Sequence, residues 1–451
     1  MTDQKQCKKF APWEKSFKKI LNPVEEFVHD EASGGLLLMA CAVLAMVMAN
    51  TGLATIYEGI LHTRLTVNLG EYAVSHTVHH WINDGLMALF FFVVGLEIKR
   101  EVLVGELADL RQAALPIAAA IGGVVVPALL FFILNRSGDA ANGWAIPMAT
   151  DIAFAMGVLI LLGNRVPKAL LGLLLAVAIV DDLIAVLVIA FFYTSSIAWG
   201  ALMLVGVFFF LLFCCNLIGL RSPIPYFVIG TFMWLAMMES GVHATLAGVL
   251  TAMMVPARSK CQAPMFSHQM YDLMARFDKV HEPGKGIMEN NEQQTVLRGL
   301  ENGVRMMETP LQRLEHGLHL WVAFLVLPIF ALANAGIPIE LSTLPETLTH
   351  PVTIGIILGL VGGKLIGIML ACWLVVKSGI SRLPTDVTFN HIGGLSLLAG
   401  IGFTMSIFIG ELAYSSQETY LLYAKTGVIL ASLLAGSLGY AWLYIAGKKN
   451  A

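Results

Sequence analysis

Charge is what this chain has least of. Asp, Glu, Lys and Arg supply 13% of its 451 residues, against 57% hydrophobic ones. A soluble domain carries about a quarter charged residues, so a chain this poor in them belongs in a lipid bilayer. The net charge of −3 lacks the basic surplus that a polyanion selects, and no nucleic-acid partner is expected. Cysteines are few: Cys7, Cys41, Cys214, Cys215, Cys261 and Cys372. They show neither metal-ligand spacing nor a secreted disulfide framework. The N-terminal polar stretch runs to about Ser33 and contains acids. No small-residue cleavage pattern follows the first apolar run, which argues against a cleavable signal peptide. Neither a cofactor nor a structural metal is expected.

What the chain has instead is long apolar runs. They read as about twelve transmembrane helices, centred near residues 42, 91, 123, 154, 182, 208, 230, 248, 327, 364, 400 and 434. If both termini are cytoplasmic, all but four of the 28 Lys and Arg residues fall in cytoplasmic segments or at their edges. The exceptions are Arg64, Arg136, Lys425 and the intramembrane Lys364. This bias predicts an all-α integral membrane protein with a transmembrane domain over 33–446. Residues 1–32 form a cytoplasmic N-terminal segment and 447–451 a cytoplasmic tail. Residues 51–83, with the alternating patch Thr63 to Leu69 (TRLTVNL), read as an external β-hairpin. Residues 256–315 read as a long, mostly charged and partly helical cytoplasmic loop.

The most informative residues are Asp181 and Asp182, adjacent in the middle of the apolar run Leu170 to Tyr193. Twelve helical residues at about 1.5 Å each put them near the bilayer midplane. A carboxylate there costs about 2.5–3.5 kcal/mol, and its neighbour adds like-charge repulsion. The pair is too far from a helix end to snorkel. It needs a cation, a proton or a buried base, which is the chemistry of a cation or proton carrier.

Other polar groups inside the spans fall into place around it. Asp151 follows Pro147 and Thr150; proline removes a helix hydrogen bond and disfavours helix just before itself. The break offers a hydroxyl, a carboxylate and freed carbonyls for cation coordination, or else a kink holding a buried acid. Lys364 lies in a stripe of glycines at 355, 359, 363 and 367, a face along which another helix can approach closely. Its counter-charge is Asp181 or Asp182. The eleventh span, Gly393 to Thr404, is too rich in glycine for a uniform helix. With the Pro147 span, the fourth, it makes two interrupted helices, one in each half. That pattern points to a transporter site between inverted repeats, and the family named below is itself an example of it. Half-helix ends meeting there would be balanced by Asp151 on one side and Lys364 on the other.

His243, in Gly241-Val242-His243-Ala244-Thr245, is either a hydrogen-bonding member of a helix interface or a pH sensor. Asp84 and Glu411 lie close to helix ends and read as structural. His76, His79 and His80 have helical spacing on an external segment without neighbouring acids or cysteines, and a metal site is not expected there.

Together, Ala149-Thr150-Asp151-Ile152-Ala153-Phe154-Ala155, Val180-Asp181-Asp182, Gly241-Val242-His243-Ala244-Thr245 and Gly362-Gly363-Lys364 resemble the NhaA-type sodium/proton antiporters. Trp81-Ile82-Asn83-Asp84-Gly85-Leu86-Met87 and Val94-Gly95-Leu96-Glu97-Ile98-Lys99-Arg100-Glu101 do as well. The match runs in order from about residue 30 onward, and the main departure is a longer cytoplasmic loop near Arg258 to Thr309. The resemblance implies inverted repeats with two crossing interrupted helices and a homodimer formed partly through the hairpin. It also implies electrogenic exchange of internal Na+ or Li+ for external H+ across a bacterial inner membrane, activated at alkaline pH. Asp182 is then the principal ion ligand with Asp181 beside it, Thr150 and Asp151 stabilise the broken-helix region, and Lys364 is the charge partner. A pH-response cluster matches Glu97, Arg100 and Glu101, joined by Glu315 and His316.

The carboxyl pair alone already supplies a mechanism. Oxygen ligands suit a hard cation or protons; if the two compete for one site that opens to one side at a time, exchange follows. An intramembrane aspartyl protease would place its acids on separate helices in Tyr-Asp and Gly-x-Gly-Asp settings, which are lacking here. A cation channel would show a repeated filter loop. The remaining alternative is a proton-coupled carrier of an organic solute, which calls for a wider polar or aromatic lining.

Overall fold

The computed structural model describes residues 31–69, 72–194, 197–258, 263–281, 287–338 and 342–447. The bulk of the expected N-terminal segment and the tail, residues 1–30 and 448–451, lie outside these. So do 70–71 in the hairpin and 259–262 and 282–286 in the long loop. Among the described residues the structure is 81% helical with one two-stranded sheet, as an apolar chain must be when lipid offers no partners for backbone N–H and C=O groups. Among the described residues, seven helices are long and apolar enough to cross a membrane, or nine if each of two bent helix pairs is one span. Three of the twelve runs read from hydropathy fall short of that test. Met87–Val104 carries Glu97, Lys99, Arg100 and Glu101; Pro223–Met238 has 16 residues and Leu246–Met254 has nine.

The chain divides into two compact units, Met1–Met87, Glu106–Tyr193 and Leu320–Ala451 forming the first, and Ala88–Gly105 with Thr194–His319 the second. In the first, α1 is Glu31–Ala49 and α2 Ala54–His62. The hairpin follows as β1 (Arg64–Leu69) and β2 (Tyr72–Thr77), antiparallel and in register from Arg64 opposite Thr77 to Leu69 opposite Tyr72. The alternating patch therefore is a strand, but the hairpin occupies less of 51–83 than expected. The preceding stretch is helical because Tyr57, its buried residue, anchors it by donating to the Leu332 carbonyl at 2.7 Å. That tertiary bond has no local sequence signal.

The longer helices of the first unit that follow include α3 (Leu110–Leu134), α4 (Ile152–Ile160), α5 (Lys168–Phe192), α6 (Leu327–Asn334), α7 (Pro351–Ile357), α8 (Lys364–Lys377), α9 (Phe389–Leu398), α10 (Phe403–Ala413) and α11 (Glu418–Ala446). Helices α3 and α8 pack backbone to backbone. A Cβ on Gly367 would strike the Gly122 carbonyl, and one on Gly363 would sit 2.8 Å from Pro127 Cα. The glycine stripe thus does what its spacing predicts. Leu115, Leu159, Leu174, Val177, Ile368, Ile392 and Leu398 fill the space between these helices.

In the second unit, Phe92, Leu96, Leu212, Tyr226, Met233 and Ala252 form a separate core. Asn216 Nδ2 donates to the Met254 carbonyl at 2.6 Å, and Lys99 Nζ to those of Met253 and Val255 at 2.6 and 2.5 Å. Three otherwise orphaned carbonyls at the end of Leu246–Met254 are capped in this way. Within the long loop, Ala263–Lys279 and Asn291–Met307 are helices. Asn290 joins them, accepting from Glu292 and Gln293 amides at 3.1 Å and donating to Val280 O at 2.8 Å.

Candidate cation site

Two helix breaks come together here. Residues Asp139–Met148 form a tight helix carrying Pro147, Ala149 is extended, and α4 starts only after Asp151. In the other break, α9 stops at Leu398 and α10 starts at Phe403, with a 49° bend between them. The Asp151 amide donates to the Ile401 carbonyl at 2.6 Å, joining the two breaks directly.

Asp151 binds the beginnings of both following helices. Its Oδ1 accepts from the Phe154 amide at 3.0 Å; its Oδ2 accepts from the Thr404 amide at 3.0 Å and the Thr404 hydroxyl at 2.7 Å. Each helix start carries partial positive charge and unsatisfied N–H groups, so a single carboxylate offsets both. Glycines precede Thr404 because the chain must pass close to the extended Ala149 and the Leu358–Gly363 turn; a Cβ on Gly402 would sit 2.9 Å from the Ala149 carbonyl.

Lys364 reaches this region from α8. Its side chain is fully buried, and its stem lies 3.4 Å from where a Cβ on Gly123 would be. The wide turn Leu358–Gly363 immediately before it interrupts the regular helix. The ammonium forms an ion pair with Asp181 Oδ2 and donates to Thr150 Oγ1 at 3.0 Å. Thr150 Oγ1 in turn lies 2.8 Å from both Asp181 Oδ2 and the Ala399 carbonyl; its single proton serves one acceptor at a time. Ala399 closes the end of α9, so the chain Lys364–Thr150–Ala399 carries positive charge towards a helix C-terminus. Asp182 is 1% exposed, as is Asp181. The five residues expected at the site, Thr150, Asp151, Asp181, Asp182 and Lys364, are therefore all buried, and the counter-charge question resolves to Asp181.

Comparisons with known proteins place the whole chain beside one family. A family model described as Na+/H+ antiporter 1 matches residues 25–443. The Na(+)/H(+) antiporter NhaA 1 of Saccharophagus degradans is 50% identical, over 98% of this chain and 97% of its own length. The Na(+)/H(+) antiporter NhaA of Sulfurimonas denitrificans is 45% identical, over 98% of this chain and 100% of its own length. That of Dichelobacter nodosus is 46% identical, over 98% and 95%. The chain belongs to the Na+/H+ antiporter 1 family. It is a multi-pass membrane transporter and not an enzyme.

The remaining candidate residues of this antiporter-family chain lie in its second unit. Arg100 Nη1 pairs with Glu315 Oε1 at 2.6 Å and Arg100 Nη2 with Glu101 Oε1 at 3.0 Å. Glu97 Oε1 lies 3.6 Å from His319 Nδ1. Of the two histidines, His316 is exposed on the helix Pro310–Trp321, and His319 is the one that reaches Glu97. His243 sits partly buried in the turn between Pro223–Met238 and Leu246–Met254.

Sequence reasoning missed Thr404, the Ala399 carbonyl and His319. Thr404 had a usable signal, a hydroxyl in the first turn after a glycine-rich break. His319 follows Glu315 by four residues and shares its helix face.

Proposed function

We propose that this chain exchanges cytoplasmic Na+ or Li+ for external H+, electrogenically, through competition of cation and protons at Asp181 and Asp182. The observation that carries this reading is a charge imbalance. Among the described residues of the first unit, the buried Asp and Lys side chains are Asp151, Asp181, Asp182 and Lys364, three carboxyls to one ammonium, which pairs with Asp181. Two helix starts, each equivalent to about half a charge, offset Asp151. A further positive charge is required at the aspartate pair, and either a proton or a bound cation supplies it. Mutual exclusion of the two at one site is the coupling.

The curated relatives carry the name Na(+)/H(+) antiporter, which supports Na+ as the cargo. The finer architecture follows in the same reading: twelve spans arranged as inverted repeats, the two helix breaks crossing at the midplane, both termini cytoplasmic, and a homodimer in a bacterial inner membrane. Residues 33–446 are then the transport domain, 51–83 external and 256–315 a cytoplasmic loop. Glu97, Arg100, Glu101, Glu315, His316 and His243 are the candidates for activation at alkaline pH.

The test is proton movement in everted vesicles from a host lacking its own antiporters, with Na+, Li+ or K+ added across about pH 6.5 to 8.5, the range around imidazole titration. Na+ and Li+ should release trapped lumenal protons. Silence towards all three cations, with the protein shown to be inserted, would sink the exchange reading in favour of an organic-solute carrier.

A further inference from the structure

The tight helix Asp139–Met148, which leads into the first break, is fastened by hydroxyls that the cation site does not use. It runs for ten residues, longer than such helices usually last, because their hydrogen bonds are poorly aligned. Three of its carbonyls accept from side chains. Tyr193 Oη donates to the Asn142 carbonyl at 2.7 Å, and Tyr414 Oη to that of Ala140 at 2.8 Å. Nearer the break, Ser406 Oγ donates to the Ile146 carbonyl at 2.7 Å. Tyr414 is 1% exposed, and a Cβ on Gly143 would strike its hydroxyl; a glycine there lets the phenol reach the segment. Trp144 meets Phe192, the neighbour of Tyr193, edge to face with ring centres 5.2 Å apart.

The two tyrosines tie the segment to the helices of the site at the end away from it. α5 carries Asp181 and Asp182, and Tyr193 closes that helix eleven residues after Asp182, about 16 Å further along. α10 begins with Thr404 on Asp151, and Tyr414 closes it ten residues after Thr404, about 15 Å further along. The segment is thus held against both helices at each of its ends. At the break the holders are charged: Asp151 binds Thr404, and Asp181 binds Thr150 and Lys364. At the other end they are two phenol hydroxyls on neutral carbonyls. Hydrogen bonds to ionised groups are about twice as strong as neutral ones, so the tyrosine end is the one that parts first.

We infer that Tyr193 and Tyr414 are the latches of an outer gate, whose bonds to the Asp139–Met148 segment close the cation site on that side and whose rupture opens it. The inference rests on the proposed exchange reading and on its assignment of this side to the exterior. A site that opens to one side at a time needs contacts made in one state and lost in the other, because only differential interactions move such an equilibrium. Single neutral hydrogen bonds suit that task. Between membrane helices each is worth about threefold in an equilibrium constant, enough to bias a gate and too little to lock it. Phenylalanine keeps the ring and loses the bond, so each Tyr→Phe change favours the outward-open state by about that factor.

The experiment compares wild type, Tyr193→Phe, Tyr414→Phe and the double variant. The first readout is amide hydrogen exchange of the purified proteins, which needs no transport. Residues 139–148 should exchange faster by about threefold per lost bond, with α8 unchanged. The second readout is the Na+ concentration that half-saturates exchange, taken at the cytoplasmic face in everted vesicles and at the outer face in right-side-out ones. Apparent affinity at either face is reduced by the fraction of molecules not open to it. The ratio of the cytoplasmic to the outer value therefore tracks the equilibrium between outward-open and inward-open states. That ratio should rise about threefold in each single variant and about tenfold in the double one. A mere loss of stability slows both directions and leaves the ratio alone. Unchanged amide exchange in 139–148, or faster amide exchange with an unchanged ratio, overturns the gate. Faster amide exchange with no response to Na+ in any of the four proteins, wild type included, upholds the latches and removes the exchange reading instead.

Discussion

Asp151 Oδ2 accepts both the amide and the hydroxyl of Thr404, a residue 253 positions further along the chain. One carboxylate oxygen thereby fixes the start of α10, while its other oxygen fixes the start of α4 through Phe154. The two helix breaks are held as one unit by this acid. The site's geometry depends on that joint as much as on the residues that meet the ion.

Thr404→Ala removes the hydroxyl bond and keeps the amide bond. Hydrogen bonds between membrane helices are worth about 0.6 kcal/mol on average and about 1.7 at most; one made to a carboxylate belongs at the upper end. The variant should melt a few degrees below wild type and exchange more slowly, and Thr404→Ser should restore both. Equal midpoints for the alanine and serine variants would show the hydroxyl to be idle.

Lys364→Ala strands Asp181 in a buried site. Breaking one side of a buried pair costs about 3–5 kcal/mol, whereas removing both sides is often near neutral. Lys364→Ala should therefore lose both stability and exchange. The double variant Lys364→Ala, Asp181→Asn should regain much of the stability without regaining wild-type exchange. Unfolding midpoints of the two single variants and the double variant, taken as a cycle, decide this; additive losses would argue against the pairing.

Asp182→Asn keeps the volume of the side chain and removes its charge. It should abolish Na+- and Li+-dependent proton release from everted vesicles while the protein remains folded and inserted. Ordinary exchange by the purified variant in liposomes would refute the role given to Asp182.

The ionisable residues of the site were legible because the bilayer makes each of them expensive, so Asp151, Asp181, Asp182 and Lys364 stand out of their apolar runs. What could not be read was rotation. Successive helical residues point about 100° apart, so the adjacent aspartates differ in what they face, and only the packing of both α5 and α8 against α3 gives Lys364 to Asp181. Thr404 escaped notice for a related reason: hydroxyls are common in membrane helices, and its value comes from a contact across 253 residues. The hairpin was visible from strict alternation in Thr63 to Leu69, but the helix Ala54–His62 before it depends on the Tyr57 bond to Leu332, which no local pattern announces.

Adjacent glycines before Lys364 offer a matched test of how this span is packed. Gly362 has open space where a Cβ would go, whereas on Gly363 it would lie 2.8 Å from Pro127 Cα and 3.1 Å from Pro127 N and Cγ. Those are backbone and ring atoms of α3 that have no flexible end to give way. Gly362→Ala adds a methyl at no steric cost and lowers the entropy of the unfolded chain, an effect of about 0.4–1 kcal/mol in favour of folding. Gly363→Ala forces α8 and α3 apart at a cost of about 1–3 kcal/mol. Because Lys364 is the next residue, that separation also draws its ammonium away from Asp181 and Thr150. Gly362→Ala should therefore exchange like wild type with an equal or higher unfolding midpoint, and Gly363→Ala should lose stability and exchange together. If the two variants behave alike, the backbone contact between Gly363 and Pro127 is not what holds Lys364 in place.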